Sequence, residues 1–194
     1  MRNGKKVFDP DGRVIKFLTQ EELRRFFDAI PRNDPRSRIL FWMIYRYAMR
    51  TQEACDLPID AVNLTENTIT IQGMKGGLRR RYPLFPGVLR LARRWKPRWK
   101  WYFWGRQGPM KRTMIWRLFK RYMERAELPA NMGVHTLRHS AAVHAGDAGA
   151  TVEEIQDLLR LKSIETAIIY ANMSTRRRNH YLKKLEDSEW VVKE

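Results

Sequence analysis

Apolar positions near the start of the chain repeat at the spacing of an amphipathic helix. Leu23, Phe26 and Phe27 fall on one helical face. Residues 19–22, just before them, fit a capping box, in which threonine and glutamate side chains accept hydrogen bonds from each other's backbone amides. The segment 36–50 is apolar on nearly every side, which predicts a buried helix at the centre of the fold.

The pattern changes from helical spacing to alternation between residues 61 and 84. The segment 68–72 alternates polar and apolar side chains, as a half-buried strand does. The glycine-rich segment 73–77 predicts a hairpin turn, and 79–84 predicts the returning strand. A short strand near Val62 would complete a small antiparallel sheet.

The second half of the chain returns to helical patterns. Trp116, Leu118, Phe119 and Met123 are the expected core positions of a helix over 113–125. Further helices are predicted over 134–146, 151–159, 163–170 and 174–186. The predicted fold is therefore mainly α with a small three-stranded antiparallel sheet, an α+β class.

Four tryptophans lie among arginines and lysines between residues 88 and 104: Trp95, Trp99, Trp101 and Trp104. Aromatic rings between cations can stack on single-stranded bases. They can equally pack in the core while the cations extend to solvent. We favour the core interpretation, because a helix in this segment must bury one face.

The charge balance narrows the class of partner. The 194 residues contain 38 Lys and Arg against 21 Asp and Glu, a net charge of +17. A field of that sign favours a polyanion, such as DNA, RNA or an acidic membrane surface. At 43% hydrophobic residues, the chain has the composition of a globular protein and not of a disordered one.

Other features bear on the cellular compartment. A single cysteine, Cys55, cannot form a disulfide within the chain, fits a reducing cytosol and is expected to be buried. The basic N-terminus leads into a turn and not into the apolar run of a secretory signal. The apolar segment 39–49 is too short to span a bilayer and contains Arg46. We expect a cytoplasmic, DNA-associated protein.

Candidate chemistry centres on two residues three positions apart, His135 and Arg138, which a helix would place on one face. An imidazole beside a guanidinium can hold an anionic oxygen and move a proton next to it, which suits a phosphate ester. Tyr170 is a candidate nucleophile downstream, and Arg50 and Lys75 are cations upstream. Each residue alone has an ordinary interpretation as an ion-paired, solvated or core side chain; the five together indicate a site.

The order of these residues resembles the tyrosine recombinases, the phage-integrase family, over most of the chain. Four motifs carry the resemblance: Ala48-Met-Arg-Thr-Gln-Glu53; Lys75-Gly76 followed by Tyr82-Pro-Leu84; His135-Thr-Leu-Arg-His139; and Leu158-Leu-Arg-Leu161 followed by Tyr170. The chain has one serious departure from the family pattern, where Gly-His or Gly-Trp is replaced by Arg160-Leu161. Leucine cannot donate the hydrogen bond that this His or Trp gives to the scissile phosphate. Lys162 or another neighbouring basic residue is a candidate substitute.

The resemblance implies a catalytic set: Tyr170, Arg50, Arg138, His135 and Lys75. The two arginines would hold the non-bridging oxygens while the tyrosine attacks and forms a 3′-phosphotyrosyl bond. The lysine would protonate the departing 5′ oxygen, and His135 would assist proton transfer at the tyrosine. Glu53 and His139 are expected to contact and orient these five residues without contacting the phosphate themselves. Neither a cofactor nor a metal is implied, because the covalent link conserves the energy of the ester.

The resemblance also implies how the chain is divided and assembled. We expect an N-terminal extension over 1–17, a catalytic domain over 18–186 and a tail over 187–194, as in short family members without an N-terminal core-binding domain. The partner would be double-stranded DNA, bound by a homotetramer with one dimer per site. The tail is a candidate for the segment that subunits exchange. Seven further cations are expected to contact DNA: Arg79, Arg80, Arg81, Lys111, Arg112, Arg176 and Arg177.

Three functions remain open from the sequence. The first is a site-specific recombinase or integrase. The second is a DNA-binding regulator of the same fold with weak or no catalysis, which Leu161 favours. The third is a topoisomerase with type IB chemistry. An RNA-binding module is a weaker alternative, because the sequence contains no RNA-recognition motif.

Overall fold

The computed structural model describes residues 14–74, 77–97, 100–105 and 108–173. Within them the helices are α1 Gln20–Asp28, α2 Pro35–Arg46, α3 Thr51–Cys55, α4 Pro86–Arg94, α5 Arg112–Arg125, α6 His135–Asp147, α7 Val152–Leu159 and α8 Glu165–Met173. The strands are β1 Val62–Asn63, β2 Thr68–Gln72, β3 Arg79–Pro83, β4 Trp104–Gly105 and β5 Gly108–Pro109. This mainly helical arrangement with a small antiparallel sheet is the predicted fold class.

The predicted three-stranded sheet is present in the order β1-β2-β3, with both pairs antiparallel. Ile69 and Ile71 of β2 are buried, whereas the residues between and beside them are more exposed. Alternation of this kind is what one buried sheet face requires. A second, two-stranded sheet of β4 and β5 was not predicted, because strands of two residues carry no alternation.

Helix α1 begins where its capping box predicted. The Thr19 hydroxyl accepts from the backbone amide of Glu22, and the Glu22 carboxylate accepts from that of Thr19. The apolar face then delivers Phe26 to the core, where its ring packs edge-on against Phe41 of α2 and lies 5.3 Å from Phe119 of α5. Three helices separated in sequence thus share one aromatic core.

The predicted helix over 36–50 ends early, and this correction matters for the site. Helix α2 stops at Arg46, and Ala48 adopts a left-handed conformation with φ 45°. The backbone amides of Ala48 and Met49 turn back to the carbonyls of Tyr45 and Ile44, the pattern of a Schellman motif. Glycine usually marks that turn, and this chain has alanine there, so the sequence carried no stop signal.

The tryptophan-rich segment packs against the protein in the described part of the chain. Trp95 stacks on Trp104 with ring centroids 5.8 Å apart, and its indole nitrogen donates to the Tyr102 carbonyl. The backbone of Trp101 pairs with that of Pro58 in a single antiparallel β-bridge. These contacts support the core interpretation, and Trp99 lies outside the described residues.

Candidate active site

Arg50 lies in the break between α2 and α3. It precedes the first residue of α3 in an extended conformation, with φ −72° and ψ 151°, and its side chain is 30% exposed. Its backbone amide donates to Glu53 Oε2 at 2.8 Å, and its Nη1 donates to Glu53 Oε1 at 3.0 Å. The break in the helix therefore leaves the Arg50 guanidinium partly exposed, while the buried Glu53 carboxylate fixes its position through an ion pair.

Arg138 occupies the first turns of α6 and is buried at 4% exposure. Its guanidinium donates to the Ala48 carbonyl and, at 2.5 Å, to the Leu159 carbonyl. Both carbonyls belong to the ends of helices, where the helix dipole is negative and favours a cation.

The pKa of the Arg138 guanidinium is affected by burial and by neighbouring charged groups of the candidate site. Burial lowers its pKa to about 9, and the positive charges of Arg50 and Arg160 contribute, while Glu53 and Tyr170 oppose the shift. The guanidinium therefore stays protonated at neutral pH. The same dependence indicates that the two predicted arginines and the predicted tyrosine are close enough to influence one another.

Arg160 is a component of this cluster that sequence reasoning did not assign. Its Nη2 donates to Glu53 Oε2 at 2.7 Å, so Glu53 lies between Arg160 and Arg50. Burial tends to raise the pKa of Glu53, but Arg160 and the Arg50 backbone amide outweigh burial, and the pKa is lowered. Glu53 is therefore an ionised carboxylate between two cations.

Arg160 carries an unusual backbone. It follows the last turn of α7 in the left-handed region, with φ 50° and ψ 47°. The amides of Arg160 and Leu161 turn back to the carbonyls of Asp157 and Gln156, a second Schellman motif. A non-glycine residue there costs about 1 kcal/mol or more. The resemblance expects glycine at this position, where that cost disappears.

Tyr170 reaches α6 through a histidine. The tyrosine lies on α8 at 4% exposure, and its hydroxyl is 2.7 Å from His139 Nδ1. The His139 ring stacks on the Tyr170 ring and contacts the ring of His135, with centroids 5.3 Å apart. In the tautomer protonated on Nε2, His139 Nδ1 accepts the phenolic hydrogen. His139 thus contacts the hydroxyl directly, a place that the sequence analysis gave to His135.

A groove of about 770 Å³ runs beside this cluster. Its lining includes Arg50 of the break, His135 at the start of α6, and Arg112 and Trp116 of α5. A second hollow of about 490 Å³ shares Arg50 and is lined by Arg160, Leu161 and Lys162, among others. Arg50 therefore lines both hollows.

Trp116 was predicted as a core residue, and that prediction is wrong. Its side chain is 50% exposed and lies in the larger groove. Lys120, one turn later on α5, places its ammonium 5.7 Å from the Trp116 ring. Helical spacing alone did not decide which face of α5 this residue occupies, because Trp116 falls between the buried positions Ile115 and Leu118.

The leucine at the family's His or Trp position lines the smaller hollow. Leu161 is half-buried there, and Lys162 is exposed beside it. Leu161 brings no polar hydrogen to this hollow, whereas the Lys162 ammonium has three. Lys162 therefore remains the candidate, predicted from the sequence, to replace the hydrogen-bond donor that Leu161 lacks.

The predicted DNA-binding cations differ in their surroundings. Arg80 pairs with Asp157 at 2.6 Å, and Arg81 pairs with Glu66. Arg79 is exposed on the same strand. DNA contacts by Arg80 or Arg81 would have to compete with these carboxylates.

Other predicted cations lie at the groove or outside the described residues. Lys111 is exposed immediately before α5, whose first residue, Arg112, lines the larger groove. The predicted catalytic Lys75, together with Arg176 and Arg177, lies outside the described residues. Residues 1–13 of the predicted extension over 1–17, the predicted helix over 174–186 and the tail over 187–194 also lie outside the described residues.

The described part of the chain contains neither a cluster of metal-binding side chains nor a helix that could span a membrane. Among residues 14–74, 77–97, 100–105 and 108–173, no three His, Cys, Asp or Glu side chains are grouped so that they could hold a metal ion. No helix among those same residues has both the length and the apolar character needed to cross a membrane.

Comparison with known proteins gives a consistent match. The chain fits the model of the phage integrase family over residues 16–177. It is 29% identical to the tyrosine recombinase XerA of Pyrococcus furiosus over 83% of this chain and 58% of the relative. It is 31% identical to the tyrosine recombinase XerD of Corynebacterium glutamicum over 81% of this chain and 57% of the relative. The chain thus spans a little over half the length of these two relatives.

Solved structures show the same fold. A crystal structure of XerA recombinase matches with a TM-score of 0.75 at 20% identity, covering 87% of this chain and 64% of that one. The XerH recombinase bound to its palindromic difH substrate, in a post-cleavage complex, matches with a TM-score of 0.74 at 22% identity, covering 95% and 57%. At these identities the likeness concerns the fold.

Proposed function

The chain belongs to the phage integrase family, and on that premise we propose that it is a site-specific DNA recombinase acting through a 3′-phosphotyrosyl intermediate. The observation that carries the proposal is a network of hydrogen bonds beside a groove lined by Arg50 and Arg112. Arg50 and Arg160 share the Glu53 carboxylate, and Arg160 and Arg138 share the Ala48 carbonyl. His139, the next residue after Arg138, contacts the Tyr170 hydroxyl. Two guanidiniums can neutralise a phosphate whose charge grows as phosphorus becomes five-coordinate. The buried phenol beside them is the nucleophile.

The cleavage step follows from these positions. The Tyr170 oxygen forms a bond to phosphorus, and the bond between phosphorus and the 5′ oxygen breaks. The phenolic proton passes to His139, whose Nδ1 is 2.7 Å from the hydroxyl. We retain Lys75 as the donor of a proton to the departing 5′ oxygen and His135 as an assisting base. Rejoining reverses the step with a new 5′ hydroxyl.

Binding and assembly extend the proposal. The substrate would be double-stranded DNA following the groove past Arg112 and over Arg50. A homotetramer, with one dimer on each site, would carry out strand exchange, and the protein would work in the cytoplasm, where cellular DNA is accessible. The tail over 187–194 is the proposed exchanged segment.

Covalent capture on DNA tests the proposed chemistry. A duplex with a nick near the cleavage position releases a short fragment after attack and so traps the protein on the DNA. We expect a covalent adduct with the wild type and none with Tyr170→Phe, which retains the ring but lacks the nucleophile. Equal DNA binding by both proteins is the control, and an adduct formed by Tyr170→Phe would overturn the assignment.

A plasmid with two target sites distinguishes recombination from relaxation. A recombinase yields inverted or excised products, whereas a type IB topoisomerase yields only relaxed plasmid. Recombinant products with the wild type support the proposal. Relaxation alone would contradict it.

A further inference from the structure

An arginine occupies a strained, fully buried position next to the candidate active site. The Arg160 side chain is 0% exposed, and its backbone is left-handed. Lys162 or another neighbouring basic residue was the predicted substitute for the missing phosphate donor, and Arg160 is one such neighbour. Arg160 lines the smaller hollow, but its guanidinium is fully buried, so it acts on a phosphate there through its neighbours.

Its guanidinium joins the ends of two helices. Nη1 donates to the carbonyls of Tyr47 and Leu158 at 2.8 and 3.1 Å, and Nη2 donates to the Ala48 carbonyl at 3.1 Å. Tyr47 and Ala48 directly follow α2, and Leu158 lies in the last turn of α7. Negative helix ends meeting around a buried cation hold it firmly.

The same guanidinium controls the charge next to Arg50. Glu53 accepts from Arg160 at 2.7 Å and from the Arg50 Nη1 at 3.0 Å, and its side chain is fully buried. With Arg160 present, two cations share one carboxylate, and the group keeps a net positive charge. Without Arg160, the carboxylate would neutralise Arg50 and draw its guanidinium inward, away from the phosphate.

A second contact extends the effect to the other arginine. Arg138 and Arg160 donate to the same acceptor, the Ala48 carbonyl. The orientation of both side chains therefore depends on the turn that follows α2, which Arg160 helps to fix.

We propose that Arg160 is a positioning residue that orients Arg50 through Glu53 and keeps this arginine electrostatically available to the scissile phosphate. The proposal rests on the recombinase function proposed above. It gives a reason for an arginine where the family pattern has glycine: its buried contacts offset the strain of the left-handed backbone.

Replacement by glycine separates positioning from stability. Arg160→Gly removes the backbone strain together with the guanidinium. We expect the rate of covalent adduct formation on saturating nicked duplex to fall by roughly 10- to 100-fold, the range for a misplaced catalytic group. DNA affinity should change much less, because the fully buried Arg160 guanidinium makes no contact of its own with DNA. An unchanged rate would overturn the proposal.

A second variant tests the charge argument. Adding Glu53→Gln to Arg160→Gly removes the unbalanced carboxylate, so part of the lost rate should return. A merely structural role for Arg160 predicts a further loss instead, because another buried hydrogen-bonding group is altered. Failure of the double variant to exceed Arg160→Gly would contradict charge balancing.

Two controls complete the experiment. Thr19→Ala weakens the start of α1 far along the chain from the site and reports the effect of lost stability alone. Arg24→Ala removes another ion-paired arginine, one that pairs with Glu21 and Asp28 on the surface of α1. Both should cleave at the wild-type rate. Adduct formation by the wild type in the same assay shows that a negative result for Arg160 concerns positioning and not the proposed function.

Discussion

Leu161 stands where the family pattern has His or Trp. It lines the hollow that Arg50 and Lys162 also line. A leucine there excludes water but supplies no hydrogen bond to a phosphate. Removing one positioned donor typically lowers an enzyme's rate by about 10²- to 10³-fold.

Restoring the donor should therefore accelerate cleavage. We expect Leu161→His to raise the rate of adduct formation by roughly 10- to 100-fold, somewhat below the full value because Lys162 supplies part of the interaction. Leu161→Met, which matches leucine in volume but donates nothing, is the control. A histidine variant no faster than the methionine variant would mean that the position does not face the phosphate.

The two histidines of α6 differ in their contacts with the nucleophile. His139 stacks on Tyr170 and meets its hydroxyl at 2.7 Å, whereas His135 is exposed in the larger groove. His139→Phe keeps a stacking ring but removes the nitrogen. We expect this change to lower the cleavage rate by about 10²-fold or more, the usual contribution of a general base.

The matched comparison is His135→Phe in the same single-turnover assay. If His139→Phe cleaves at the wild-type rate while His135→Phe does not, the proton at the tyrosine belongs to His135, as first inferred from the sequence.

At the scale of elements, the contact between α2 and α6 includes a buried polar pair. The Tyr45 hydroxyl lies 3.0 Å from His144 Nδ1, and the two rings meet edge to face. Burial lowers the pKa of His144, and Arg46 adds to the shift while Asp147 opposes it. The neutral imidazole is therefore the form that the folded protein favours.

This lowered pKa predicts a loss of stability in acid. Below the unfolded-state pKa of about 6.5, the unfolded chain binds a proton that folded His144 does not. The free energy of unfolding should thus fall between pH 7 and 5, by at most about 1.4 kcal/mol per pH unit from this group.

Denaturant unfolding at several pH values measures this slope. In His144→Gln the slope should be smaller, because glutamine does not titrate while its amide can still meet the Tyr45 hydroxyl. Parallel pH profiles for the two proteins would show that other groups cause the acid sensitivity.

At the scale of the whole molecule, the net charge and the ion pairs of individual arginines have different effects on DNA binding. The chain carries a charge of +17, yet arginines such as Arg80 and Arg81 already face carboxylates. Cations at the groove, such as Arg112, are better placed to displace counterions from DNA. The number of phosphates neutralised, and not the net charge, sets the salt dependence of binding.

Salt titrations can count these contacts. We expect the apparent affinity for duplex DNA to fall steeply with salt, and Arg112→Ala to reduce the slope of log K against log salt by about 1. Arg24→Ala, which removes the same charge from the surface of α1, should leave the slope unchanged. Equal slopes for all three proteins would exclude Arg112 from the DNA interface.

The sequence by itself determined most of the elements. A capping box placed the start of α1 at Thr19, alternation placed β2, and the glycine-rich turn placed the returning strand β3. The family motifs pointed to Arg50, Arg138 and Tyr170 as candidates, and the structure connects them through contacts of Glu53, Arg160 and His139. These features depend on neighbours within a few residues or on the order of short motifs, and both can be identified from the amino-acid sequence.

Tertiary structure alone decided how the cluster is supported. Ala48 and Arg160 adopt left-handed conformations, and neither is the glycine from which such a turn is usually predicted. The direction of the Arg160 side chain depends on carbonyls more than one hundred residues away, at the end of α2. Exposure of Trp116 likewise depends on what packs beside α5. Such features arise from contacts between distant segments, whose energies no local pattern encodes.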